Sequence, residues 1–234
     1  MSWLPSARRS FLSQFGTGVS VAIGAATLTA GGVTLGAQSP GSARRQPRRH
    51  AQDNWLDELP GQHRLLLDTT GATGFGNALL YANNFLNSSQ AEYGLKDADS
   101  AVVIVARHLS TVFGYNDAIW AKYGAMLSQR VNFNDPQTQK PATINVYNST
   151  SHSAALASLG ITLDAVIKRG VHFAVCQTAT RLFVGGLAQS TGGNADAIYK
   201  EVLGNLMPNA HMVPSGIVSL SRAQERGFTF ASVG

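Results

Sequence analysis

Five short apolar runs punctuate the chain: 65–68 (LLLD), 101–106 (AVVIVA), 172–176 (HFAVC), 211–213 (HMV) and 228–232 (FTFAS). Each reads as a strand, and the second and third are nearly unbroken, the pattern of strands covered on both faces. Between them the apolar spacing changes to that of a helix. Ala78, Leu79, Ala82, Phe85 and Leu86 form one stripe, and Ile119, Tyr123, Met126 and Leu127 a second. Ile198, Val202, Leu203 and Leu206 form a third, behind Asn194 as cap with Asp196 in the first turn. Ile217, Leu220 and Gln224 follow Ser215 and stop before Gly227, a residue suited to a left-handed helix end. Strands alternating with helices predict a three-layer α/β/α fold around a mostly parallel sheet of about five strands. No internal repeat is visible.

The stretch 129–152 is polar, contains Pro136 and Pro141, and has no period. Long loops in compact domains are usually functional, so this one is expected as a lid or an oligomer contact. In an open parallel sheet, ligands bind beyond the carboxyl ends of the strands, where loop amides and helix N-termini converge. The residues to read are therefore those just after each strand. DTTGATGFGN (68–77) holds Gly71, Gly74 and Gly76, without the order of a dinucleotide turn or the lysine of a phosphate loop. Its glycines are expected to serve a flexible turn, and Asp68 to accept hydrogen bonds there or to act as an acid or base. After the second strand come Arg107 and His108, the histidine a candidate proton shuttle. Asn116 is expected to cap the helix that carries Trp120. The histidines are scattered without ligand spacing, so neither a metal nor a cofactor is expected.

Cys176 is the only cysteine of the chain and closes the third strand. Thr178 or Thr180 is expected to open the next helix, placing the sulfur near unpaired N–H groups and the positive end of a helix dipole. Such settings favour a thiolate, and Arg181, about a turn further on, would add positive charge. The competing reading is a small hydrophobe filling a strand end. With no second cysteine, no intramolecular disulfide and no dithiol chemistry is available.

The chain has 234 residues, 44% hydrophobic and 13% charged, a size that favours one domain. Its formal charge of +5 is misleading. Six arginines lie before residue 50, and from Asp53 onward 12 basic residues face 13 acidic ones. The body therefore has no cationic surplus with which to hold a phosphate backbone, and no nucleic-acid partner is expected. Arg8 and Arg9, followed by Phe11-Leu12 and an uncharged Gly/Ala/Thr-rich stretch, resemble a twin-arginine (Tat) export signal over residues 1–37. Ala7 and Ser13 depart from that pattern. A membrane span is the alternative, since the uncharged stretch is long enough, though its six glycines make it a poor one. Residues 38–54, rich in Ser, Pro and Arg, read as a solvated linker, and the folded domain is expected over 55–234.

The stretches RHLSTVFGYNDAIWAKYG, GVHFAVCQTATRLFVGGLA and VPSGIVSLSRAQERGFTF resemble the DsrE/DsrF-like family, in particular its exported branch with Tat signals. The likeness spans roughly residues 62 to 232 and rests most on the strand-end cysteine and the closing VP-x-G-I-V with RAQE-x-G. It implies a flavodoxin-like α/β/α fold, homo- or hetero-oligomers, and a cysteine that carries sulfur as a persulfide between partners. Cys176 occupies that place. Arg107, His108 and Asp117 match the local pattern without a role that carries over. The implied function is periplasmic sulfur handling by Cys176, with a sulfur donor or acceptor as partner and the Tat translocase during export; Arg181 and His108 stand as site candidates from their positions in the sequence alone. Membrane contact is expected only through an uncleaved signal. The alternative is a ligand- or partner-binding module without a reactive thiol.

Overall fold

A computed structural model describes residues 47–234, and in it the five runs form one sheet with every strand pair parallel. In chain order the elements are α1 (Trp55–Glu58), β1 (His63–Thr69), α2 (Ala72–Tyr93), β2 (Ser100–Ala106), α3 (Asp117–Val131), α4 (Thr150–Ser153), α5 (Leu163–Lys168), β3 (His172–Cys176), α6 (Gln177–Thr191), α7 (Ala195–Leu203), β4 (Ala210–Val213), α8 (Gly216–Gln224) and β5 (Thr229–Ser232). The export-signal and membrane-span readings, with Arg8 and Arg9, lie outside the described residues. Of the linker expected over 38–54, the described part includes a 3-10 turn at Ala51–Asp53. Among the described residues no helix is long and apolar enough to cross a membrane.

The strand order is β4-β3-β2-β1-β5. Because β1 to β4 step across the sheet in one direction, most connecting helices stack on one face. There α2, α3, α6 and α7 bury Leu67, Ile104, Phe173 and Val175. Residues of opposite parity on the same strands, Leu66, Val103, Val105 and Ala174, face α1 and α8 alone. The period-two alternation thus divides the core into a thick layer and a thin one.

Helix boundaries follow local chemistry. The Asn116 side chain accepts from the N–H groups of Ala118 and Ile119 at 3.0 and 3.4 Å, and Asn194 accepts from Ala197 at 2.9 Å. After α8 the chain turns at Gly227, with φ +82°.

The polar 129–152 stretch is no detached lid: it is built into the core. Val146 and Tyr147 are buried, and the Tyr147 ring lies 5.1 Å from Phe113 and 5.3 Å from Phe75. Its hydroxyl donates to the Ala72 carbonyl at 2.6 Å. Asn145 donates to the carbonyls of Phe113 and Tyr115 at 2.8 and 2.9 Å. Polar side chains here satisfy buried backbone, which is why the segment looks like a surface loop in a hydropathy pattern.

Candidate functional site

Beyond β3 the chain rises into α6 on the thick face, and beyond β4 it passes into α8 on the thin face. Two neighbouring strands whose exits diverge form a switch point, the place where an open α/β sheet offers a crevice. Cys176 and Val213 are paired across that gap in register. The cysteine therefore stands at the strand end where the two exits part.

Cys176 is itself the N-cap of α6. The helix opens at Gln177, earlier than the expected start at Thr178 or Thr180, because the sulfur fills the capping role: Ala179 N–H points to Sγ at 3.5 Å. Thr180 serves the same turn by donating its hydroxyl to the Cys176 carbonyl at 2.9 Å, and accepts from the buried Tyr115 hydroxyl at 2.9 Å. Burial raises the Tyr115 pKa above the ordinary phenol value, with Cys176 adding to the effect after the opposing Thr180 hydrogen bond. That phenol stays neutral. Cys176 is buried, 5% exposed as a residue, and belongs to the apolar core of the thick face.

Opposite the cysteine, the ends of β1 and β2 supply one ion pair. Arg107 donates to Asp68 through Nε and Nη2 at 2.7 and 2.8 Å, a bidentate fork. Asp68 is thus a structural acceptor, though its partner is Arg107 and not the glycine turn. The Arg107 pKa is raised above its ordinary value, first by the hydrogen bond to Asp68, and also by the nearby Cys176. Gly216, opening α8, lies against the Arg107 stem: a Cβ on it would come within 2.5 Å of Arg107 Cβ. The absence of a side chain there lets the first turn of α8 pack against the aliphatic stem of Arg107.

The other two expected site residues have surroundings of their own. Arg181 turns toward α7, where its guanidinium sits 4.0 Å over the Tyr199 ring and meets Asp196 at 3.4 Å. Arg181 lies well past one turn of about 3.6 residues from the cap, which carries it round to another side of the helix. The cation near Cys176 is Arg107, which comes from a different strand. Spacing along one helix could not reveal it; the available signal was that Asp68 and Arg107 end adjacent predicted strands. His108 is exposed at φ +56° and lines a cavity with Ala179 and Phe183 on α6.

Two further features differ from expectation. Gly74 and Gly76 lie inside α2 and serve close packing: a Cβ on Gly74 would overlap the carbonyls of Val233 and Gly234, and one on Gly76 would meet the Tyr147 hydroxyl at 2.9 Å. On the thin face His172 Nδ1 and His211 Nε2 meet at 3.0 Å, and Trp55 stacks on His211 at 4.0 Å. Among the described residues no group of three or more His, Cys, Asp or Glu is placed to hold a metal. No family model, curated protein or solved structure matches this chain.

Proposed function

We propose that this chain is an exported sulfur-handling protein of DsrE/DsrF-like type, in which Cys176 takes up and releases sulfane sulfur as a persulfide. The observation that carries the reading is the position of Sγ: it caps a 15-residue helix at the switch point, takes the Ala179 N–H, and lies near a guanidinium anchored on Asp68. An anion on that sulfur, thiolate or persulfide, meets an oriented N–H, the positive end of α6 and Arg107.

The transfer step is balanced without an outside oxidant. The Cys176 thiolate attacks the terminal sulfur of a donor persulfide R–S–S⁻, the donor S–S bond breaks, R–S⁻ leaves, and Cys176 now bears the S–S⁻ group. Release to an acceptor thiolate is the same exchange in reverse. Arg107 and the Ala179 N–H stabilise the anion before and after.

Intact mass of the purified protein after exposure to a sulfane donor tests this. The expected result is a gain of one sulfur atom, removed by a thiol reductant and absent in Cys176→Ser. No gain, or an equal gain in the serine variant, overturns it. Export is read by fractionation, with the Arg8→Lys, Arg9→Lys variant expected to remain inside the cell.

A further inference from the structure

We infer that a groove between α3 and α6 binds an amphipathic anion, a small molecule with an apolar body and a carboxylate or sulfonate head. This goes beyond the sulfur chemistry and uses none of its atoms. Two cavities, of about 320 and 200 Å³, run end to end along the helix pair and share Arg130 and Phe183. Together, though not each alone, they reach the volume of a small-ligand site. The walls are mixed: Met126 from α3, Leu182 and Phe183 from α6 and Leu109 from the turn after β2 are apolar, while Gln129 and Ser190 add polar surface at one end.

Arg130 is solvent-exposed where the two cavities meet and has no hydrogen-bond or ion-pair partner among the described residues. It differs in this from Arg107, Arg169, Arg222 and Arg226, each of which holds an acidic group. Neither cavity is lined by a carboxylate. A cation flanked by Leu, Met and Phe, with His108 at one end and no competing acid, is complementary to an anion with an apolar tail.

The seat of Arg130 is a second observation. Its guanidinium lies along α6 at Gly186, where an added Cβ would come within 3.1–3.5 Å of Nη1, Cζ and Nη2. Glycine inside a helix is destabilising by about 1 kcal/mol relative to alanine. Here the missing side chain leaves room for the guanidinium to lie close against the helix.

The test is calorimetry on the full chain with decanoate, decanesulfonate, 1-decanol and decyltrimethylammonium below their micelle concentrations. Binding of the anions roughly 10-fold tighter than decanol, with none of the cation, supports the site. Arg130→Gln should lower the anion affinity to that of decanol, and Gly186→Ala should weaken it in the same direction. The better of the two anions identifies the head group. Equal affinity for anion and alcohol, no binding, an unchanged Arg130→Gln, or anion binding lost because a second copy closes the groove in sedimentation, overturns the inference. Cys176→Ser should bind decanoate as the parent does, so failure of sulfur transfer and failure of this site are read separately.

Discussion

Arg107 and Asp68 form a bidentate pair of unequal depth: the aspartate side chain is 4% exposed and the arginine 29%. Removing one partner of a buried pair leaves the other uncompensated, and the deeper survivor suffers more. Arg107→Ala should therefore destabilise the fold by about 3–5 kcal/mol. Asp68→Asn, whose orphaned arginine can turn to water, should lose about 1–3 kcal/mol. Urea unfolding of both variants checks the order, and the reverse order would show that Asp68 is less isolated than its burial indicates.

Cys176 acts as a cap, and serine is among the preferred residues at that position. Cys176→Ser should keep stability within about 1 kcal/mol of the parent, while Cys176→Ala should lose about 1 kcal/mol with the cap. Thermal unfolding distinguishes them. A large loss in the serine variant would mean that the sulfur chiefly fills the core. With 5% of the residue exposed, methyl methanethiosulfonate should modify the native thiol much faster than a bulky aromatic disulfide, the difference vanishing in urea.

The His172–His211 contact makes the thin face sensitive to acid. Burial lowers the His172 pKa, and burial followed by the neighbouring His172 lowers that of His211 to about 4 from 6.5. The unfolded chain then binds more protons than the folded one between these values. Stability is full above pH about 6.5 and falls as the pH drops toward about 4. Both rings are only half buried, so the loss is on the order of 1–2 kcal/mol. Thermal melts from pH 7.5 to 4 should show it, and His211→Gln should flatten the slope.

Gly74 faces the last two carbonyls of the chain, and a methyl group there must displace them. Gly74→Ala should cost about 1–3 kcal/mol by overpacking, although alanine favours a helix. For a domain of this size the melting temperature should fall by roughly 2–4 °C per kcal/mol. An unchanged melting temperature would show that the C-terminal residues yield freely.

Much of this architecture was legible along the chain, because its strands are short apolar runs and its caps are local. Asn116 and Asn194 bind N–H groups two or three residues away, an interaction written into adjacent positions. The strand-to-helix junction at Cys176 was legible for the same reason: a strand ends and a helix begins there. Arg181 meets Tyr199 and Asp196 on α7, a pairing that the packing of α6 on α7 decides and no local spacing showed.

By itself the sequence determined the alternation of strands and helices, their approximate bounds, and the single sulfur at a strand end, since these depend on period and on neighbours a few residues apart. Only the tertiary structure decided that Arg107 accompanies the sulfur, that Tyr147 fills the core from a polar loop, and that α3 and α6 frame Arg130. Those relations join residues far apart in the chain, and they arise from strand order and from which face each connecting helix covers.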